Sequence, residues 1–129
     1  LIEVLKINKI KNIKLPVSAP FHCSLMKKAT EIMTKELQNI NFKASTNTLI
    51  SNVTANETTN KDEIKELLIK QIENRVRWRE SVINMIDKGT NQFIEIGPGK
   101  VLTGLIKRIN KEVKTVSINS QTDIESIDI

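Results

Sequence analysis

Apolar residues recur along the chain at two spacings, one typical of helices and the other typical of strands. Intervals of three and four residues predict helices at about 24–40, 62–73, 77–88 and 100–109, and residues 1–9 have the pattern of the tail of a helix. Short β-branched runs predict strands at 13–17, 45–53, 92–96 and 113–118. Because strands and helices alternate, the pattern predicts an α/β fold with a largely parallel sheet.

Polar and glycine positions predict where these elements begin and end. Ser24 is the predicted N-cap of the first long helix, and Asn60 or Asp62 caps the second. Gly89 is placed to end the third helix. The "GPG" segment at 97–99 turns a strand directly into a helix, and a weak helix or tail follows residue 118.

Composition narrows the class of protein. The chain has 129 residues, enough for one domain or part of a larger one, and no apolar run approaches the roughly 20 residues of a membrane span. Its single cysteine cannot form an internal disulfide, which favours the cytoplasm. The net charge of +5 favours acidic partners, but dispersed lysines and few aromatic residues argue against nucleic-acid binding.

His22 is the only histidine and the first candidate for chemistry. It follows a predicted strand and a proline turn, and the ends of strands are where open α/β sheets bind ligands. It could be a catalytic base or an ordinary packed side chain, and position alone leaves both open. The neighbouring Cys23 is better interpreted as a small buried hydrophobe than as a nucleophile.

Gln71 is a second, less obvious candidate. It shares the apolar stripe of the helix predicted at 62–73 and falls in its last turn, where carbonyl groups lack an intrahelical partner. Such a carbonyl could accept a hydrogen bond from a histidine ring and fix its tautomer. The sequence permits this arrangement without requiring it.

Other short motifs carry less weight. "GPGK" at 97–100 lacks the spacing of a phosphate loop, so a tight strand-to-helix turn with exposed N–H groups is the simpler interpretation. "SLMK" at 24–27 matches the serine–lysine pattern of penicillin-recognising enzymes by chance, because the companion motifs are missing. One histidine and one cysteine are too few for the usual zinc sites, so no metal is expected.

Four stretches of the sequence resemble the bacterial malonyl-CoA:acyl-carrier-protein transacylases of type II fatty acid synthesis. The stretches occur in the same order and at the same spacing as in that family. They are "LPVSAPFHCSLMK", "SNVTA", "IKELLIKQIENRVRW" and "FIEIGPGKVLTGLIKRI", and the resemblance covers residues 1 to about 118. The chain departs from the family pattern at Ala19, Lys28 and Arg75, and none of these changes removes a chemical group.

The resemblance implies a fold, an activity and two site residues. Residues 1–20 would end a small ferredoxin-like subdomain, and 21–129 would form the C-terminal part of a larger α/β-hydrolase-like subdomain. The activity would be ping-pong transfer of a malonyl group from malonyl-CoA to the phosphopantetheine thiol of acyl carrier protein, through an acyl-serine intermediate. His22 would be the general base, and the backbone carbonyl of Gln71 would orient it. No cofactor, membrane or nucleic-acid partner is implied, and the whole enzyme would be a monomer in the cytoplasm or in an organelle of bacterial origin.

The resemblance also implies that the nucleophile lies elsewhere. No G-x-S-x-G motif occurs in the sequence, which starts at Leu1 rather than methionine. We therefore expect the C-terminal portion of an enzyme, inactive alone and exposing core that the remainder would cover. The alternative is a non-catalytic module that docks acyl carrier protein through its basic surface.

Overall fold

The computed structural model describes residues 1–13 and 17–127. Its helices are α1 (Ile2–Ile7), α2 (Lys27–Gln38), α3 (Lys61–Lys70), α4 (Trp78–Asp87), α5 (Val101–Ile109) and α6 (Gln121–Glu125). Its strands are β1 (Leu49–Ile50), β2 (Glu57–Thr58), β3 (Gln92–Ile96) and β4 (Lys114–Ile118). The strand predicted at 13–17 falls largely outside the described residues.

The C-terminal half is a β–α–β unit built around one apolar cluster. β3 and β4 pair in parallel with Phe93 opposite Thr115, and α5 connects them. Val82 is fully buried and clusters with Ile106 and Val113. The half-buried side chains packed against this cluster are those of Trp78, Met85, Ile86, Phe93 and Ile109. The parallel pair with its helices confirms the predicted α/β class.

Alternation along β3 gives its two faces different surroundings. Phe93 packs into the apolar cluster, and Glu95 points the same way, toward α5. Ile94 and Ile96 point to the opposite face and are 39% and 80% exposed. The sheet therefore has one packed face and one open apolar face.

A short antiparallel hairpin precedes α3. β1 pairs with β2, with Leu49 opposite Thr58 and Ile50 opposite Glu57. The predicted strand at 45–53 was wrong in extent, because Ser45 forms a local turn in which its hydroxyl donates to the Asn47 carbonyl. β2 was not predicted, since two partly polar residues carry no strand pattern. Residues 51–56, which join the strands, are called the 51–56 turn below.

The helix ends test the predicted caps. Asn60 caps α3, its side-chain oxygen accepting from the N–H groups of Asp62 and Glu63 at 2.9 and 3.1 Å, so the prediction is confirmed for Asn60. Ser24 was wrongly predicted as a cap. It is the first residue of a 3₁₀ turn, Ser24–Met26, which precedes α2. α4 ends just before Gly89, whose φ of +96° suits glycine.

Within the described ranges, no helix is long and apolar enough to cross a membrane.

Candidate functional site

His22 occupies a tight turn directly before the 3₁₀ turn that leads into α2. Its φ of +59° is a left-handed conformation that side chains other than glycine rarely adopt. The Phe21 N–H donates to the Ala19 carbonyl at 3.0 Å, and the Cys23 thiol donates to the Pro20 carbonyl at 3.2 Å. These contacts fold the turn on both sides of His22. The imidazole itself is exposed.

The imidazole contacts a residue 49 positions away along the chain. Nδ1 of His22 lies 2.7 Å from the backbone oxygen of Gln71. Gln71 is half-buried, as its place on the apolar stripe predicted, and it is the C-cap residue of α3 with φ −64° and ψ −19°. A carbonyl at a helix end lacks an intrahelical donor, so it is available to the ring. The structure thus brings the two predicted site residues together.

This contact fixes which nitrogen of the neutral ring carries hydrogen. A carbonyl oxygen can only accept, so Nδ1 must donate. In the neutral ring Nε2 then has a lone pair and can take up a proton. Among the described residues, the imidazole makes no other hydrogen bond. The arrangement has the chemistry of a general base with one oriented and one open nitrogen.

The Gly97–Gly99 turn, the other candidate for ligand binding, is internally satisfied. The Glu95 carboxylate accepts from the N–H groups of Leu102 and Thr103 at 3.0 and 2.8 Å. These are donors of the first turn of α5, which an external anion would otherwise use. The Thr103 N–H above all holds the pKa of Glu95 below its usual value. The turn is therefore a structural element, in agreement with the simpler interpretation of its sequence.

Sequence analysis missed the role of Glu95. The alternation along β3 carried the signal, because it puts Glu95 on the same face as Phe93, toward the helix that follows. The glycine conformations complete the turn, with φ of +135° at Gly97 and +95° at Gly99. The Gly99 N–H donates to Oδ1 of Asn119 at 2.6 Å.

A cleft of about 610 Å³ between α4 and α5 was also missed. We call it the basic cleft; its main lining residues are Arg75, Trp78, Arg79, Leu105, Arg108 and Ile109. Glu80 also lines the cleft and pairs with Arg75 at 2.9 Å, whereas the exposed Arg79 and Arg108 side chains form no ion pair among the described residues. Trp78 Nε1 is buried and has no hydrogen-bond partner within the part of the chain that the structure describes.

The remaining candidates add little chemistry. Cys23 is half-buried rather than buried, and its thiol is used in the turn around His22. Across residues 1–13 and 17–127, no group of three or more histidine, cysteine, aspartate or glutamate side chains could hold a metal ion.

The curated proteins to which the chain is similar, as reported below, carry one name. No protein-family model matches the chain. Malonyl CoA-acyl carrier protein transacylase of Bacillus subtilis is 44% identical over 124 residues, which are 95% of this chain and 39% of the relative. The Staphylococcus aureus protein of the same name is 41% identical over 111 residues, covering 86% of this chain and 36% of the relative.

Solved structures give the same result. An acyl-carrier-protein-S-malonyltransferase from Bartonella henselae superposes with a TM-score of 0.86 at 40% identity, over 97% of this chain and 40% of that one. A malonyl-transacylase solved in complex with its type II polyketide acyl-carrier protein gives 0.84 at 34% identity, over 96% of this chain and 40% of that one. The chain spans about two fifths of the length of these relatives. Over nearly its whole length, the chain is thus a homologue of a C-terminal portion of the malonyl CoA-acyl carrier protein transacylases.

Proposed function

We propose that this chain carries the general base of a malonyl transfer site, with His22 as the base and the Gln71 carbonyl as the group that orients it. The observation that carries the proposal is the 2.7 Å contact between Nδ1 of His22 and the oxygen of Gln71. It leaves Nε2 ready to accept a proton. The names of the relatives supply the reaction, transfer of a malonyl group from malonyl-CoA to acyl carrier protein.

In the first half-reaction, a serine hydroxyl attacks the thioester carbonyl of malonyl-CoA. His22 Nε2 takes the hydroxyl proton as the new C–O bond forms. The C–S bond then breaks, and the coenzyme A thiolate leaves with the proton that Nε2 returns. The serine would belong to the portion of the relatives that this chain does not span.

The second half-reaction runs the same steps with the carrier thiol. Nε2 takes the proton of the phosphopantetheine thiol, and the thiolate attacks the malonyl-serine ester. The C–O bond to serine breaks, and the serine oxygen regains its proton from Nε2. Throughout, the Gln71 carbonyl keeps hydrogen on Nδ1 and stabilises the imidazolium that forms each time.

The same proposal assigns the parts of the chain. Residues 1–20 would end the small ferredoxin-like subdomain, and 21–129 would belong to the large subdomain. The open face of β3, where Ile96 is 80% exposed, would be covered by the rest of the large subdomain. We further propose a cytoplasmic, monomeric enzyme that needs no cofactor beyond its two substrates.

A hybrid enzyme tests the role of His22. This chain replaces the matching portion of the Bacillus subtilis relative, and malonyl transfer to acyl carrier protein is measured. We expect His22→Ala to lower kcat by about 10²- to 10⁴-fold, the usual contribution of a general base. Lys28→Ala, which removes an exposed side chain of α2 away from the turn, is the control and should leave transfer nearly unchanged. Full activity of the His22→Ala hybrid would refute the assigned role.

The basic cleft supports a second candidate function, docking of acyl carrier protein without catalysis. Arginine side chains at its rim and an apolar floor of Leu105 and Ile109 fit an acidic amphipathic helix of a carrier protein. Arg79 and Arg108 are exposed and so available to acidic side chains.

Binding of acyl carrier protein to the isolated chain tests this second function. Salt-sensitive binding that is lost in Arg79→Glu and Arg108→Glu would support docking at the cleft. Lys28→Glu, the same change of charge on the exposed face of α2, should leave binding intact. Equal losses in all three variants would indicate a general charge effect and refute a docking site at the cleft.

A further inference from the structure

We propose that the 51–56 turn holds the Gln71 carbonyl in position for His22, with Asn52 and Asn84 as positioning residues. This inference rests on the proposed function, because it concerns the same histidine and carbonyl. The turn contains the whole "SNVTA" segment, which contributed to the family resemblance but has no part in the reaction steps.

Asn52 reaches both ends of the loop that contains Gln71. Its side-chain Nδ2 donates to Oε1 of Gln71 at 3.4 Å, at the beginning of the loop between α3 and α4. Its backbone carbonyl accepts from the Arg77 N–H at 2.8 Å, at the end of the same loop. One residue of the hairpin thus contacts both ends of this connection.

Asn84 anchors the turn itself to α4. Its Nδ2 donates to the Ala55 carbonyl at 2.7 Å. Ala55 is buried, has φ +60°, and donates its own N–H to the Ser51 carbonyl at 2.8 Å. The hydrogen bond between Ala55 and Ser51 closes the turn, and this closure fixes the direction of the Ala55 carbonyl toward Asn84. Turn, loop and α4 form one connected set of hydrogen bonds.

Side-chain packing leaves a space beside the hydrogen bond between Asn52 and Gln71. Asn52 and Gln71 line a cavity of about 190 Å³ between β1 and α3. Side chains beside a cavity have few contacts that resist a shift, so the amide–amide bond limits the rotation of Gln71. A rotation at the C-cap residue turns its carbonyl away from the ring. The geometry points to Asn52 as the residue that keeps the carbonyl aimed at Nδ1.

The single histidine makes the test direct. With ¹⁵N-labelled histidine, the two ring nitrogens of His22 give unambiguous signals, and their shifts report the ratio of the Nδ1–H to the Nε2–H tautomer. This ratio is measured in the 129-residue chain for Asn52→Ala, Asn84→Ala and Gln71→Ala. The last variant keeps the backbone carbonyl but removes the partner amide. Asn39→Ala, which removes an amide donating to the Lys35 carbonyl at the end of α2, is the matched control.

We expect Asn52→Ala and Gln71→Ala each to lower the tautomer ratio about fivefold, the equivalent of one typical hydrogen bond. Asn84→Ala should lower it less, because Asn84 acts through the turn. Asn52→Asp should restore the ratio, because the Gln71 amide can rotate and donate to the new carboxylate. The control should leave the ratio unchanged.

Unchanged ratios in Asn52→Ala and Gln71→Ala would overturn the inference, even if urea unfolding shows both variants to be less stable. If one of the two variants does not fold, the other decides by the same criterion. The ratio does not depend on catalysis, so its outcome is separate from the hybrid-enzyme result. An inactive His22→Ala hybrid with unchanged ratios would refute only the positioning role.

Discussion

Two turns of this protein lead into helices, and only the turn at His22 leaves a ring nitrogen without a hydrogen-bond partner among residues 1–13 and 17–127. The turn before α5 places glycines at positive φ and satisfies the helix N-terminus with Glu95. The turn before α2 places a histidine at positive φ and holds only one of its ring nitrogens, at 2.7 Å from Gln71. Both turns are candidate sites by their sequence. The structure distinguishes them by the hydrogen bonds that each turn makes.

The difference shows how a structural turn is distinguished from a candidate site. Before α5 the N–H groups of Gly99, Leu102 and Thr103 donate to side chains of the same unit, and glycine carries the conformation without strain. At His22 a non-glycine residue holds a left-handed conformation, which costs free energy. The left-handed conformation together with the open Nε2 supports the proposed role of His22.

The largest expected effect is on activity, which substitution in the turn at His22 should reduce and substitution in the turn before α5 should not. In the hybrid enzyme, His22→Ala should reduce transfer by about 10²- to 10⁴-fold without a large change in stability, because the ring is exposed. Glu95→Gln should do the reverse, lowering the urea midpoint while folded enzyme keeps its turnover. Steady-state kinetics and urea unfolding of both variants check this. A loss of turnover in folded Glu95→Gln would remove the contrast between the turns.

Glycine substitutions probe the conformation of the turn before α5. Gly99→Ala should destabilise the chain by about 1–2 kcal/mol, since a φ of +95° is unfavourable for a residue with Cβ. Gly104→Ala is the matched control. Gly104 lies inside α5 with open space around its added Cβ, so its replacement should stabilise by about 0.5–1 kcal/mol. Denaturant unfolding measures both, and equal effects would show that φ is not the cause.

Strain at His22 can be measured by comparing two substitutions that both remove the ring. His22→Gly should be more stable than His22→Ala by about 1 kcal/mol, because glycine adopts a φ of +59° at little cost. Each variant loses the contact to Gln71, so the difference between their unfolding free energies isolates the backbone. If alanine proves equally stable, the left-handed conformation at His22 costs nothing.

The smallest expected effect concerns pH. Hydrogen bonds from helix N–H groups, chiefly that of Thr103, lower the pKa of Glu95 in the folded chain, so its ionised form favours folding. This contribution is fully present above the ordinary carboxyl pKa of about 4.3 and is lost as pH falls through the lowered value. Glu95→Gln should therefore flatten the pH dependence of stability in that acid range. Asp123, whose pKa is also lowered, remains in both proteins and cancels in the difference.

Local patterns predicted the C-terminal half well. The strand predicted at 92–96 and the helix predicted at 100–109 agree with the structure. The apolar runs there are bounded by glycine turns, and the unit packs against elements that are adjacent to it in the sequence. The hairpin was poorly predicted, because Ser45 and Asn47 bond to each other instead of joining a ladder. At Ser24 the chain makes a 3₁₀ turn, which the helical spacing of apolar residues cannot distinguish from the start of an α-helix.

The candidate site was predictable only in part. The pattern placed Gln71 at a helix end and His22 after a turn, but no local rule pairs residues 49 positions apart. The expectation that His22 contacts the Gln71 carbonyl came from the family resemblance. The basic cleft escaped prediction because its arginines come from α4, α5 and the loop before α4, and their proximity depends on how these parts pack.

Trp78 gives the protein a built-in optical reporter. It is the only tryptophan, its indole lies in the basic cleft, and its buried Nε1 has no hydrogen-bond partner among the described residues. Indole emission depends on the polarity around the ring. A segment that fills the cleft would change the emission maximum, whereas unfolding would move it toward that of indole in water. Intrinsic fluorescence can therefore follow cleft occupancy and folding in the same sample, without a label.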